Sequence, residues 1–391
     1  MSDQGTEAPT RSRARGRRLA LGAVLLLSLA LLGLQRAGYF ALFSAVPFAG
    51  PRELGHGVVA EVQDRRAPPA SRLVVLRIPR GKGLRLAARL SVPDGQGMLP
   101  LRMLGEGASA LAAVNGDYHR LWDSWLAGTP YSTVVTSPGR APVVGALFSY
   151  SASFWIDQAG APHVGKLDLG AEARFASGES LPVCRNVEGA EATWVDRSPS
   201  GRWLVPNHRG RRIELAADGR WRLAGEMEDG LQGPALLVRI GSGAEHTLEM
   251  VPAGAGVELQ LTGADRDRVA LAIGSGPQLL RDGELARELD EPADALWEAP
   301  AARTAVGIAP SEVLLVTTVQ SDAGGISLRA LARALRDLGC TEALNLDGGP
   351  SSTTWAPGGE LNKPAGAKDR DVEVASGLLV LSPAPGKPGL E

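Results

Sequence analysis

The chain has 391 residues, with 41 Lys plus Arg against 43 Asp plus Glu and a formal net charge of −2. That balance leaves no basic face for nucleic acid, and the length is ample for a sizeable core. Forty-nine glycines and 27 prolines imply many turns, which fits a strand-rich domain better than a helical bundle.

Arg11, Arg13, Arg15, Arg17 and Arg18 precede Leu19 to Leu34, an uncharged run of sixteen residues. Gln35 and Arg36 interrupt it, and Tyr39 to Ala49 is apolar again. A spanning helix needs about 20 apolar residues. The expectation is therefore a signal anchor within residues 1–50, crossing the inner (cytoplasmic) membrane through residues 19–49. The arginines would stay in the cytoplasm, and the body would lie on the periplasmic or extracytoplasmic side. A cleaved signal peptide, with small-residue sites at Ser44-Ala45 or Phe48-Ala49, is the alternative and yields a secreted protein.

Residues 51–104 read as lead-in strands, beginning with Val58 to Val62 and forming a lead-in layer, and residues 105–385 as the main domain. Leu111 to Val114 is a short apolar strand that runs straight into Asn115-Gly116-Asp117-Tyr118-His119. Phe154 to Asp157, Trp203 to Val205, Leu236 to Ile240 and Val257 to Leu261 read as further strands closed by turns. Val313 to Val319, rich in β-branched residues, reads as a buried strand. Ser327 is an N-cap, and Leu328, Leu331, Ala332, Leu335 and Leu338 recur at helical spacing until Gly339 ends the run. The strand ending at Leu346 follows.

Strand, helix, strand predicts a right-handed crossover with its two strands parallel. Asp347 then stands at the carboxyl end of a strand, where open sheets bind ligands. The competing reading is a β-hairpin turning at Asp347-Gly348 and returning through Ser351 to Trp355. The second glycine-punctuated strand end, at Asn115, favours a site.

These residues resemble the phosphodiester glycosidase family. Asn115-Gly116-Asp117-Tyr118 is similar to its Asn-Gly-x-aromatic block, and Ala272 to Gly283 to its block of glycines, proline and an apolar pair. Arg303-Thr304-Ala305-Val306-Gly307-Ile308 is similar to its Arg-Thr-Ala-x-Gly strand. Asn345-Leu346-Asp347-Gly348-Gly349-Pro350-Ser351-Ser352 resembles its strongest signature, and Asn362-Lys363-Pro364 with Arg370 its closing block. The blocks keep family order across roughly residues 105 to 382. Three departures stand out. Pro350 replaces a third glycine, Gln320 to Gly325 lacks the family's turn arginine, and His119 occupies a position where an aromatic is commoner.

The resemblance implies hydrolysis of a sugar-1-phosphodiester, in a cell-envelope or exopolysaccharide conjugate, without a cofactor. A phosphate monoester leaves as a stabilised anion, so less general acid is needed than for an ordinary glycoside. The phosphate must be neutralised, and a carboxylate and an oriented water must stand near the anomeric carbon. Arg303 and Arg370 are the phosphate candidates by their bidentate forks, with N–H groups of Gly348 and Gly349 as added donors. Asp347, Asp117 and His119 are the catalytic candidates. Asn115, Thr304, Asn345, Ser351 and Ser352 complete the substrate-binding set, although a buried Asn or a turn Ser also serves to satisfy nearby backbone.

Two rival readings stand beside this one. One is a non-catalytic carbohydrate-binding envelope protein. The other is a glycosidase of ordinary O-linked sugars that uses Asp347 and Asp117 as its carboxylate pair. The scattered histidines show no zinc pattern, and Cys184 and Cys340 form no disulfide framework. The fold expectation is α+β, with mixed, strand-rich sheets around few helices and one N-terminal membrane helix.

Overall fold

The computed structural model describes residues 50–65, 71–92, 97–119, 128–136, 140–145, 151–185, 190–195, 210–215, 221–224, 235–239, 242–252, 254–290, 299–319, 325–362, 371–385 and 389–391. The expected anchor at 19–49, the strand at Trp203 to Val205, the turn at Gln320 to Gly324 and Arg370 lie outside these residues. Among the described residues no helix is long and apolar enough to cross a membrane.

The domain is strand-rich, with three α-helices among the described residues: Leu101–Gly107, Gly243–Met250 and Leu328–Asp337. The largest sheet has eight strands in the order Arg52–Gly55, Val58–Arg65, Ser71–Pro79, Glu312–Val319, Thr304–Ala309, Glu342–Asn345, Gln278–Arg281 and Glu284–Leu285. A second sheet of five runs Gly359–Glu360, Thr354–Ala356, Ala112–Asn115, Ser376–Leu381 and Arg85–Leu90. A third five-stranded sheet holds Ala152–Asp157, Val269–Ser275 and Val134–Thr136 at its centre. A seven-stranded sheet that includes Gly170–Phe175 and Val257–Thr262 builds the remaining layer.

Period-two burial makes the large sheet a central layer. Along Ser71–Pro79, Val74, Leu76 and Ile78 pack into one core with residues of the second and third sheets. Leu73 and Val75, one residue out of phase, pack on the other face against Leu328, Leu331, Ala332 and Leu335. Alternating side chains point to opposite faces, so a strand buried on both sides must be apolar nearly throughout. The helix is placed as its sequence predicts. The Ser327 hydroxyl accepts from Ala330 N at 3.3 Å, and Gly339 takes φ +92° just past the end. On the far side, the Leu101–Gly107 helix covers the second sheet through Leu101, Leu104 and Trp355.

The crossover differs from its simplest form. Glu312–Val319 and Glu342–Asn345 are parallel in direction, but each pairs antiparallel with Thr304–Ala309, which lies between them. A central strand supplied from earlier in the chain satisfies both edges. The lead-in strands form no separate layer. Ser71–Pro79 pairs with Glu312–Val319 across its full length, and Arg85–Leu90 pairs with Ser376–Leu381. Asp347-Gly348 is not a hairpin turn either, since Thr354–Ala356 leaves the large sheet and joins Ala112–Asn115 in the second one. Cys184 and Cys340 are free thiols, and burial pushes the Cys340 thiol up to about 12.

Candidate active site

Strand ends from three sheets meet at one edge. Asp347 N donates to Gly116 O at 2.9 Å, and Leu346 N to Thr304 O at 2.8 Å. Gly116 N donates to Ser376 O at 2.8 Å, and Gly276 N to Asn345 O at 3.1 Å. A side chain at position 116 would collide with the Ser376 hydroxyl and Ile273. The backbone of the Asn-Gly block therefore approaches its neighbours as only glycine permits.

Asn115 is the clamp between the two main sheets. Its Nδ2 donates to Asp347 O at 2.8 Å, while its Oδ1 accepts from the Thr304 hydroxyl at 2.7 Å and from Thr353 N at 3.1 Å. Asn115 is 1% exposed and Thr304 wholly buried. Their expected contact with a sugar is not what this geometry offers. They hold the backbone of Asp347 in place from beneath. Ser352 is likewise buried, and its carbonyl accepts from Asn362 Nδ2 at 2.9 Å. Ser351, on the turn itself, is only partly buried.

Asp347 is partly exposed and held by a hydrogen bond on one oxygen while the other faces a histidine. Oδ1 accepts from Gly348 N at 2.8 Å, and Oδ2 faces His119 Nδ1 at 3.4 Å. The two side chains share the same modest exposure. That separation is longer than a formed hydrogen bond, which catalytic groups commonly show before substrate binds. Arg303, itself buried, lies against the next residue, since a Cβ on Gly348 would stand 3.8 Å from its Nη1. Its Nη2 donates to Ala299 O at 2.9 Å and its Nε to Ile326 O at 3.3 Å. Burial holds the guanidinium pKa below its usual value, with the Tyr118 phenol acting in the opposite sense. It stays charged all the same.

The N–H groups of Gly348 and Gly349 are already engaged. Gly348 N donates to Asp347, and Gly349 N to Ala302 O at 2.8 Å. The expectation that they donate to a phosphate is corrected by this geometry. The glycines instead form a tight turn, with Gly349 at φ +59°, leading into the 3₁₀ segment Gly349–Ser351.

Asp117 is 2% exposed, and its Oδ2 accepts from Ser132 N at 2.6 Å. Burial pushes its carboxyl up to about 8, and the nearby Asp347 charge adds to the rise. The Ser132 and Tyr118 N–H groups and the Ser275 hydroxyl oppose the shift without outweighing it. The acid is therefore mostly protonated at neutral pH. Asn345 is fully buried, and its Nδ2 donates to the Tyr118 hydroxyl at 2.7 Å and to Gly276 O at 2.9 Å. Tyr118, to which the sequence assigns no role, joins this cluster through its hydroxyl. Ser275, Gly276 and Ser376 join it through pairings that no local signal reports. Among the described residues, no group of three or more His, Cys, Asp or Glu is arranged to hold a metal ion.

Comparison with known proteins agrees with the sequence blocks. Residues 229–381 match the family model of phosphodiester glycosidases. The match contains Arg303 and the Asn345 to Ser352 signature, while the Asn115 block lies outside it and reaches the site through the fold. No curated protein matches the sequence. Among solved structures, a hypothetical protein from Synechocystis is 19% identical with TM-score 0.69, the alignment covering 85% of this chain and 64% of that one. The chain thus spans just under two thirds of that protein. A candidate exported protein from Burkholderia pseudomallei is 20% identical with TM-score 0.60, covering 80% of this chain and 74% of the other. These two show a shared fold. The catalytic domain of zebrafish N-acetylglucosamine-1-phosphodiester alpha-N-acetylglucosaminidase, auto-inhibited by its pro-peptide, aligns at 14% identity and TM-score 0.44, over 83% of this chain and 82% of its own.

Proposed function

We propose that this protein is an exported hydrolase that cleaves a sugar-1-phosphodiester. What supports the reading is Asp347 facing His119 at the strand-end edge, next to the Gly348 backbone that Arg303 packs against, with Asp347 and Arg303 both inside the segment that matches the phosphodiester glycosidases. Arg303 neutralises the phosphate. Asp347, fixed by Gly348 N–H, orients His119, and the pair takes a proton from water as that water attacks the anomeric carbon. The bond from that carbon to the phosphate oxygen breaks, and the phosphate monoester leaves with the electron pair. Free sugar results, and the Asp347 charge steadies the ring cation on the way. Arg370 remains a candidate second phosphate ligand. Export and the envelope or exopolysaccharide setting rest on the N-terminal sequence pattern and on the exported candidate with the same fold.

A second reading has its own observation. Asp117, whose carboxyl pKa is raised by burial, next to Asp347 is the unequal carboxyl pair expected of an ordinary glycosidase. The burial of Asp117 argues against it, since a general acid must reach the leaving oxygen. Incubation with a panel of sugar-1-phosphodiesters and matched O-glycosides, followed by measurement of released sugar, separates the two. Turnover of the phosphodiesters is expected, and turnover of the O-glycosides alone overturns the proposal. Saccharide binding with turnover of neither panel would establish a binding protein instead.

A further inference from the structure

We infer that Asp117 is a positioning residue, which sets His119 against Asp347 by fastening the strand end to the segment Thr129–Ser132. This rests on the hydrolase reading for what His119 does, and on geometry alone for where His119 stands. Just past Ala112–Asn115 the chain pairs briefly with that segment. Tyr131 N donates to Tyr118 O at 2.9 Å, and His119 bridges Pro130 in the antiparallel sense. One step nearer the strand the pairing is completed by a side chain, since Ser132 N donates to Asp117 Oδ2 at 2.6 Å. Ser132 is buried, and a buried N–H needs an acceptor. Two residues beyond Asp117, the His119 ring stands with Nδ1 3.4 Å from Asp347 Oδ2.

Both sides of this link are anchored. Asp117 N donates to Ser376 Oγ in the second sheet at 3.1 Å. Ser132 and Thr133 lead into Val134–Thr136 of the third sheet. There Gly274 N donates to Thr133 O at 2.7 Å, Gly145 N donates to Thr133 Oγ1 at 3.1 Å, and a side chain at position 274 would collide with Ser132. A link between two fixed walls decides where the residue just beyond it sits. Asp117 itself is 2% exposed, and its Oδ1 is sealed from solvent. A carboxyl so enclosed meets no substrate, and its influence on the reaction passes through His119. Burial keeps it mostly protonated at neutral pH. Asparagine is then a near-isostere that retains the acceptor for Ser132 N–H, whereas alanine removes it.

The test uses the purified full chain as wild type, Asp117→Ala, Asp117→Asn, His119→Gln and the double variant of Asp117→Ala with His119→Gln. Turnover is read as kcat and KM on the methyl phosphodiester of N-acetylglucosamine 1-phosphate. The imidazole ¹H–¹⁵N spectrum reports His119 directly, its signal among the five histidines assigned by its loss in His119→Gln. Asp117→Ala should lower kcat by about a hundredfold, the cost of misplacing a catalytic group by about 1 Å, with KM changed by less than about threefold. In the His119→Gln background the same substitution should cost less than about threefold, because both changes act through one group. The His119 signal should move in Asp117→Ala while those of the remaining histidines hold. Asp117→Asn should restore that signal and keep kcat within about tenfold of wild type. A larger loss in Asp117→Asn overturns the inference, since it makes the carboxyl a reacting group. So does an unmoved His119 signal in Asp117→Ala, or a full Asp117→Ala loss in the absence of His119. A wild type that turns over no phosphodiester, with the signal still moving in Asp117→Ala, would remove the hydrolase reading and leave this one standing. Should Asp117→Ala not fold, Asp117→Ser, whose hydroxyl is too short to span to Ser132 N–H, takes its place under the same readouts, and the Asp117→Asn result is decisive against the inference as before.

Discussion

Within the Glu342–Asn345 strand, buried surface changes character over two residues. Ala343 packs under the helix on one face and Leu344 into the central core on the other. Asn345, equally buried, is polar, and its Oδ1 has no hydrogen-bond partner among the described residues. The same change occurs in Ala112–Asn115, where Ala112 and Val114 join the central core before Asn115 turns polar. The apolar halves stabilise the fold by removing surface from water. The polar ends weigh against stability, because each buried group must be matched or left unsatisfied. A site thus stands on an edge whose packing would be firmer with leucines, the usual relation between stability and function.

Breaking the polar end at its most exposed member should have the largest effect. Asp347→Asn keeps an acceptor for Gly348 N–H and removes the charge. Turnover of sugar-1-phosphodiesters should fall by about three powers of ten or more, as for an essential carboxylate, with the unfolding midpoint little changed. A loss of only a few-fold would make Asp347 a positioning group.

Asn115→Ala sharpens the comparison from the stability side. It leaves the Thr304 hydroxyl, Thr353 N–H and Asp347 carbonyl without their shared partner. The cost should be about 2–4 kcal/mol, since orphaned buried groups cost about 1–3 kcal/mol each and do not add fully. Urea unfolding measures it. A loss under about 1 kcal/mol would show that the clamp is dispensable.

Asp117 gives a pH signature. Its folded value of about 8 lies above the ordinary 3.8. Between those values the native state holds a proton that the unfolded chain has released, so raising pH favours unfolding. Its contribution to stability is complete below about pH 4, falls through the window and is gone above about pH 8. The slope is at most about 1.4 kcal/mol per pH unit. Asp117→Asn, which keeps an acceptor for Ser132 N–H, should flatten that slope. Equal slopes in denaturant titrations from pH 4 to 9 would refute it.

The apolar halves were legible in the sequence and the polar ends only in part. Period-two and helical spacing located the strand at Val313 and the helix after Ser327, and strand-end punctuation located Asn115 and Asp347. Pairing was less accessible. Nothing local to Thr304–Ala309 says that it lies between two strands that a helix joins, since such pairings link distant residues. The same distance hid the occupation of Gly349 N by Ala302 O and the grip of Asn345 on Tyr118. Glycines announce an open backbone without saying which acceptor fills it.

The smallest expected effect concerns Pro350, where the chain departs most visibly from the glycosidase signature. Proline supplies no N–H, which on the sequence alone counts against phosphate binding. In the fold Pro350 is exposed on a 3₁₀ turn whose neighbours are all engaged: Gly349 N by Ala302 O, Ser351 N by Gly348 O and Ser352 N by Gly349 O. A loop that turns its donors inward has little to lose at this position. Pro350→Gly should therefore change turnover by less than about threefold, within the range of a group outside the chemistry. It should lower stability by about 0.4–1 kcal/mol through the added freedom of the unfolded chain. A tenfold gain in turnover would show instead that a donor here reaches the phosphate, and that this turn reorganises when substrate arrives.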